Sequence, residues 1–215
     1  MATTLKNKKP TLIKRIIKFL FKFLLYGFLL SLVYIVFCKW INPPITITQM
    51  VSLVKGNGFH RTYVNMDKIS ANAKLAVMAG EDQLFPDHNG FDFKSIQKAM
   101  KHNQKSKSLR GASTISQQVA KNVFLWQHGG FFRKGLEVYF TFMIEKIWGK
   151  KRILEIYLNE AEMGTGIFGI EAASQHYFHT SAKNLSQKEA AQIAACLPNP
   201  KEFTIKPISI RVATR

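Results

Sequence analysis

Acidic residues are scarce in this sequence: 13 Asp and Glu accompany 31 Lys and Arg among 215 residues. No acid precedes Asp67, so the first part of the chain carries charge of one sign only. The formal net charge of +18 must therefore be explained by a partner, such as a membrane surface or a polyanion. Hydrophobic residues make up 47% of the chain, which excludes a disordered basic protein because a real core can be buried.

Cysteine is nearly absent, with only Cys38 and Cys196 in the chain. Cys38 lies in an apolar run and Cys196 in a predicted helix, so a disulfide between them would need an unfavourable geometry. Cysteine usage gives no information on the compartment. The sequence has no HExxH and no CxxC, and His88, His102 and His128 lack metal-ligand spacing. We therefore expect no protein-bound zinc site.

One long apolar run begins at Phe19 and ends at Cys38, with Lys22 as its single charge. Twenty helical residues are about 30 Å long, which matches the hydrocarbon thickness of a bilayer. A cleaved signal peptide is the alternative, but Lys39 to Pro44 offers no small-residue cleavage site. We therefore predict a transmembrane helix at residues 19–38.

The charges around this run predict its orientation. Seven Lys and Arg precede or begin the run and Lys39 follows it, which favours a cytoplasmic amino terminus. Pro43 and Pro44 then form a short stiff connector. The predicted organisation is a cytoplasmic basic tail at 1–18, the transmembrane helix at 19–38 and an extracytoplasmic domain at 45–215.

The exposed part is predicted to be mainly α, because period-2 alternation is limited to residues 45–48. Capping boxes at Thr114 to Gln117 and Ser186 to Glu189 mark the starts of two helices. Asp92 is a candidate N-cap for a third helix. Further helices are expected at 74–78, from about Phe132 through Trp148, and at 151–160. The polar stretch from Lys101 to Arg110 is predicted to be a mobile loop.

Three polar clusters could carry chemistry. In the first, Glu81 follows an apolar run and is joined by Asp82, His88 and Gly90. A carboxylate against apolar neighbours has its charged form disfavoured, and this tuning suits a group that transfers protons. The alternative is a pair of surface acids that cap a turn.

The second cluster lies on the helix that begins at Thr114. Gln117 and Lys121, and likewise Gln118 and Asn122, are spaced i,i+4 on neighbouring strips of this helix. Hydroxyls, amides and a lysine could form a donor-rich groove for a sugar or a phosphate. The alternative is an amphipathic helix whose polar side faces water.

The third cluster contains Arg133, Lys134 and Glu137. Arg133 and Glu137 share a helix face at i,i+4 spacing. The alternative here is an ordinary exposed ion pair, which would contribute only about 0.2–0.5 kcal/mol.

Four blocks of the sequence resemble the signature blocks of the peptidoglycan glycosyltransferases of family 51, in their monofunctional membrane-anchored form. They are EDQLFPDHNG at 81–90, GASTISQQVAKN at 111–122, RKGLE at 133–137 and KKRILEIYLNEAEMGTGIFGIEAASQHYF at 150–178. The blocks occur in the family's order and cover most of residues 75–200.

The resemblance implies a lysozyme-like helical domain that polymerises lipid II into β-1,4 glycan strands, with inversion at C1 and release of undecaprenyl diphosphate. It implies Glu81 as the general base and Glu137 as the second catalytic carboxylate. The substrate-binding residues it implies are Asp82, Ser113, Thr114, Gln117, Gln118, Lys121, Asn122, Arg133 and Lys134.

The implied partners are lipid II, the growing glycan chain and the bacterial inner membrane, with the catalytic domain in the periplasm. Other cell-wall synthesis or division proteins are left open as partners, and no nucleic acid is expected. No firm cofactor is implied, and a divalent Mg or Mn ion at the donor diphosphate is left open. The alternatives in other classes are a lysozyme-like hydrolase or lytic transglycosylase, and a non-enzymatic membrane-tethered scaffold.

Overall fold

The computed structural model describes residues 11–106 and 111–214. The chain divides into two compact units, Met1–Ile41 and Asn42–Arg215. The first unit contains one helix, α1 (Leu12–Trp40), which is long and apolar enough to cross a membrane. Its 29 residues extend about 43 Å at 1.5 Å per residue. The helix therefore continues past both ends of the predicted 19–38 span.

The second unit is mainly helical, as the sequence predicted, with one small sheet. Its helices are α2 (Ile47–Val54), α3 (Ala71–Glu81), α4 (Phe93–Lys105), α5 (Ile115–Phe124), α6 (Phe131–Ile147), α7 (Lys150–Glu160), α8 (Ile170–Phe178), α9 (Gln187–Cys196) and α10 (Ile210–Thr214). The strands are β1 (His60–Arg61), β2 (Glu162–Gly164) and β3 (Ile167–Phe168). β3 is central, parallel to β1 and antiparallel to β2.

The predicted helix starts are confirmed at three caps. Thr114 and Ser186 both form complete capping boxes, in which the N-cap hydroxyl accepts the N3 amide and the N3 side chain accepts the N-cap amide. The Asp92 carboxylate accepts from the Ser95 amide at the start of α4. These side chains satisfy amides that would otherwise have no partner in the first turn.

The structure corrects one expectation. Lys101 to Lys105, predicted to be part of a loop, form the last turns of α4, a helix with no buried residue in the described chain. Residues 107–110 of the predicted loop lie outside the described residues. Residues 45–48, the short alternating stretch noted in the sequence, include the N-cap of α2, where Thr46 and Gln49 form a capping box.

The core is centred on α5 and α7. α5 packs against α6 and α7, and α3 packs against α9. Ile153, Ile156 and Leu158 of α7 are fully buried, as are Ile115 and Ala120 of α5. This packing brings the end of α3, the polar strip of α5 and the buried face of α7 together.

The Cys196 thiol is also part of this core, at the end of α9. It is 1% exposed and donates to the Gln192 carbonyl at 3.3 Å. Burial raises the pKa of the Cys196 thiol from 9.0 to about 11.

Candidate active site

Glu81 is the last residue of α3 and is half-buried. The Gln118 side-chain amide, from α5, donates to Glu81 Oε2 at 2.8 Å. The Tyr157 hydroxyl, from α7, in turn donates to Gln118 Oε1 at 3.2 Å. Three helices thus meet at one carboxylate, because the core packing fixes the positions of α5 and α7 relative to α3.

Asp82, next in the chain, has a different role. It is 7% exposed, and its Oδ2 accepts the Ile115 amide in the first turn of α5 at 2.9 Å. His88 Nε2 also donates to the Asp82 carboxylate, since His88 Nδ1 accepts the Gly90 amide at 3.0 Å. Asp82 and His88 therefore join the segment after α3 to the start of α5, whereas Glu81 is held by Gln118, which lines the cavity described below.

Gly90 completes this connection. The Thr114 hydroxyl donates to the Gly90 carbonyl at 2.7 Å. The Gly90 φ angle is +90°, and a Cβ atom there would lie 2.8 Å from Thr141 Cγ2. Glycine at position 90 thus lets the chain pass close to α6 in a backbone conformation that other residues rarely adopt.

At the start of α5, the predicted substrate-binding residues are used in different ways. Thr114 and Gln117 are buried, and their side chains form the capping box. Ser113, one residue earlier, is exposed. Asn122 is half-buried and accepts from the Gln127 amide at 3.0 Å. Contact of any of these four residues with a substrate stays a prediction.

Glu137 lies on α6 and is only 3% exposed. Arg133 donates to Glu137 Oε2 at 2.7 Å, and Lys134 pairs with Glu137 Oε1. The alternative interpretation of Arg133 and Glu137 as an ordinary exposed ion pair is therefore wrong. The buried Arg133 Nε has no hydrogen-bond partner within the described ranges, so one donor of this guanidinium is left for a ligand.

Lys121 of α5 connects the two carboxylate groups electrostatically. Burial lowers the pKa of Lys121 below its ordinary 10.5, and the Arg133 and Lys134 cations lower it further. The Glu137 and Glu81 carboxylates both act in the opposite direction. One partly desolvated ammonium group therefore lies within the electrostatic range of both predicted catalytic carboxylates.

A cavity of about 430 Å³ is lined in part by Lys121, and neither Glu81 nor Glu137 is among its lining residues. Gln118, Lys121 and Asn122 line one wall, and Tyr157 and Glu160 of α7 line another. The remaining lining includes apolar and aromatic side chains, among them Ile47, Val51, Trp126, Leu197 and Pro198. The cavity combines polar groups for orientation with apolar surface, as ligand sites commonly do.

The family model for transglycosylases matches residues 48–214 of this sequence. The chain belongs to the transglycosylase family. Among similar proteins, the biosynthetic peptidoglycan transglycosylase of Bacteroides thetaiotaomicron is 47% identical over 201 residues, which cover 91% of this chain and 81% of the relative. That of Pseudomonas syringae is 44% identical over 211 residues, covering 95% and 88%. The mainly helical domain is the lysozyme-like domain of this family.

Two features of the transglycosylase site were missed from the sequence. Tyr157 was read only as part of an apolar helix face, although it reaches Glu81 through Gln118. Glu160, in the cavity wall, accepts from Gln49 at 2.6 Å and from Arg61 at 2.9 Å, and burial raises the pKa of Glu160. These contacts join residues 37 to 111 positions apart, and no local pattern predicts them.

The described part of the transglycosylase domain contains no group of three or more His, Cys, Asp or Glu that could hold a metal ion. Both Glu137 oxygens are paired with cations. Carboxylates in this site therefore occur singly, and they do not form a ready-made set of ligands for a metal ion.

Proposed function

We propose that this protein polymerises lipid II into β-1,4 glycan strands and releases undecaprenyl diphosphate at each transfer. Membership of the transglycosylase family, and relatives named for biosynthetic peptidoglycan transglycosylation, support peptidoglycan glycan polymerisation. The observation that carries the assignment of roles is the position of Lys121, whose pKa responds to both Glu81 and Glu137. A proton acceptor and an anion site would thus share one ammonium group within electrostatic range of both.

In this proposal Glu81 is the general base. Its carboxylate takes the proton of the acceptor's GlcNAc 4-hydroxyl while that oxygen attacks C1 of the donor MurNAc from the face opposite the diphosphate. The C1–O bond to the diphosphate breaks, and the configuration at C1 inverts. The hydrogen bond from Gln118 holds Glu81 and favours its ionised form, which is the form that a base needs.

The cations near Glu137 receive the departing diphosphate. Lys121, Arg133 and Lys134 are held on two packed helices, α5 and α6, so they need little reorganisation when negative charge develops. Glu137 orients Arg133 and Lys134 through its two ion pairs and keeps three close cations from repelling one another. The buried Arg133 Nε supplies a further N–H for a phosphate oxygen.

A divalent cation, if the reaction uses one, is proposed to be held mainly by the diphosphate itself. The carboxylates close to the site are engaged with cations or with Gln118, which argues against a resident metal centre. Bound Mg or Mn would add positive charge to the leaving group.

The protein is a membrane-anchored peptidoglycan enzyme, because α1 is long and apolar enough to span a bilayer. We propose the orientation with the amino terminus in the cytoplasm and the catalytic domain in the periplasm, since the cations cluster before the helix. Anchoring keeps the domain at the surface where a polyprenyl-linked substrate resides. Other cell-wall synthesis or division proteins remain proposed partners.

The test is polymerisation of labelled lipid II by the purified full-length protein, followed by gel separation of glycan chains. Glu81→Gln and Glu137→Gln should each lower the rate by more than about 100-fold, the lower range for loss of an acid-base group. Glu202→Gln is the matched control, because Glu202 is exposed. Release of fragments from finished glycan would instead indicate a hydrolase or lytic enzyme. Unchanged function in Glu81→Gln would indicate a scaffold.

A further inference from the structure

We propose that Tyr157 and Gln118 form a positioning relay that orients the Glu81 carboxylate toward the acceptor hydroxyl. The inference rests on the proposed function, in which Glu81 is the base. The relay consists of two hydrogen bonds, from the Tyr157 hydroxyl to Gln118 Oε1 at 3.2 Å and from Gln118 Nε2 to Glu81 Oε2 at 2.8 Å.

The chemistry of the three groups fixes the direction of both hydrogen bonds. An ionised carboxylate can only accept, so the Gln118 NH₂ group must face Glu81. The Gln118 carbonyl oxygen then faces Tyr157, and the phenol must donate. Burial, with the Glu81 and Asp82 carboxylates nearby, raises the pKa of Tyr157 well above 10.0, so the hydroxyl keeps the proton that this arrangement requires.

Tyr157 is a rigid first member of the relay. It is 1% exposed and lies in the middle of α7, between the fully buried Ile156 and Leu158. Gln118 is half-buried on α5, which packs against α7. Gln118 thereby holds the Glu81 carboxylate in a fixed position relative to the core. Glu81 is the last residue of α3, where the helix itself restrains a side chain little.

Without the phenol, only the charge of the Glu81 carboxylate would select the orientation of the amide, so protonation of Glu81 would leave the amide free to rotate. A rotated Gln118 would present its carbonyl oxygen to Glu81, which repels the carboxylate but accepts from the protonated carboxyl group. The charged and titratable groups that interact with Glu81 include Lys121 on α5 and Tyr157 on α7, and Asp82 is the adjacent residue. Of these, only Tyr157 acts through the amide.

The experiment compares Tyr157→Phe with the wild-type full-length protein in steady-state polymerisation of lipid II across a pH series. We expect kcat to fall about three- to tenfold, the effect of one neutral hydrogen bond, with KM for lipid II unchanged. The acid limb of the kcat profile should move to higher pH, because the Gln118 amide, no longer held by the phenol, donates less consistently to the Glu81 carboxylate and favours its ionised form less. A purely structural role for Tyr157 would not move this limb.

Tyr177→Phe is the matched control. Tyr177 is also a buried tyrosine, its hydroxyl donates to the Met163 carbonyl at 3.4 Å, and it does not line the cavity. Its loss should leave the pH profile unchanged. If Tyr157→Phe and Tyr177→Phe have the same kinetics, the relay is wrong.

A double-mutant cycle tests whether Tyr157 acts through Gln118. Gln118→Ala alone should lower kcat about 10- to 100-fold and move the acid limb in the same direction. Adding Tyr157→Phe to Gln118→Ala should then cost less than a further twofold, since the relay is already broken. Full additivity would overturn the relay. Because Gln118 is only half-buried, this variant should fold even if Tyr157→Phe does not, and an unmoved acid limb in Gln118→Ala would refute the proposal.

The two levels of inference fail differently. If the wild-type protein does not polymerise lipid II, or if Glu81→Gln is active, the proposed function fails. If the wild-type protein is active and Glu81→Gln is inactive while the relay variants behave like Tyr177→Phe, only the relay fails.

Discussion

Lys121 carries its positive charge in surroundings that oppose it. Burial lowers its pKa, and the neighbouring Arg133 and Lys134 cations add to this effect. A partly dehydrated ammonium group destabilises the fold but binds an anion strongly, because little water must be displaced when the anion arrives. At the scale of one residue, folding and the proposed anion binding therefore conflict.

Replacement of this charge should separate stability from activity. Lys121→Met should raise the thermal midpoint and lower lipid II polymerisation about 10- to 150-fold, the effect of losing a hydrogen bond from a charged group. Calorimetry and the polymerisation assay measure the two effects. Lys188→Met, at an exposed position on α9, should change neither. A lower midpoint in Lys121→Met would mean that the charge stabilises the fold.

The pH dependence of Lys121 follows from the direction of its pKa shift. Between the lowered pKa and 10.5 the unfolded chain binds more protons than the folded one, so the free energy of unfolding should rise with pH in that window. The rate of polymerisation should fall in the same window, because the ammonium form is lost. Lys121→Arg, which stays charged, should move this alkaline fall to higher pH. The measurement is the free energy of unfolding and the polymerisation rate of the wild-type protein across this pH window. A rise in the first with a fall in the second would support the assignment to Lys121.

Single residues also show what the sequence could predict of the site. The motif blocks predict Glu81, Lys121 and Glu137 as site residues, and in the structure the pKa of Lys121 responds to both carboxylates. The use of Asp82 does not follow, because its carboxylate accepts an amide 33 residues away, through a contact that forms only after folding. The capping box of Thr114 and Gln117 follows from the sequence, whereas the hydrogen bond from Thr114 to the Gly90 carbonyl does not.

At the scale of helices, local signals were reliable where they involved caps. Thr114, Ser186 and Asp92 cap their helices because the interaction spans three residues and needs no tertiary partner. The same signal, Thr46 followed by Gln49, marks the start of α2 and was not recognised in the sequence. The end of α4 could not be found from hydrophobic pattern, since that helix buries none of its described residues.

Replacement by alanine should change the stability of the domain in opposite directions at Gly90 and at Gly135. Gly90→Ala should destabilise the domain by at least about 2 kcal/mol, because its φ is +90° and the new Cβ would contact Thr141 of α6. Gly135→Ala, inside α6 with open space around its Cα, should stabilise it by about 0.5–1 kcal/mol. Thermal unfolding of both variants is the measurement, and equal midpoints would contradict the structure.

The whole molecule combines a basic helical domain with one apolar helix. The charge of +18 and the α1 helix both favour residence at an anionic membrane, where a lipid-linked substrate is confined. The domain, in contrast, forms its own core between residues 42 and 215. Catalysis and anchoring are thus carried by separate units of the chain.

Removal of residues 1–41 should test this separation. We expect the shortened protein to keep its rate on a short-chain, water-soluble lipid II analogue within about threefold of the full-length protein. On lipid II in vesicles the rate should fall at least about tenfold, because the effective concentration of enzyme at the bilayer is lost. Equal losses on both substrates would indicate that the helix contributes to the catalytic domain itself.

The buried Cys196 gives this domain a practical advantage for spectroscopy. Its thiol is 1% exposed and, with a pKa of about 11, stays protonated at neutral pH, so alkylating dyes should react with it slowly. A cysteine introduced at the exposed Ser113 would then be the one fast-reacting thiol of the domain. A fluorophore there, at the entrance to α5, could report each arrival of a donor lipid in real time.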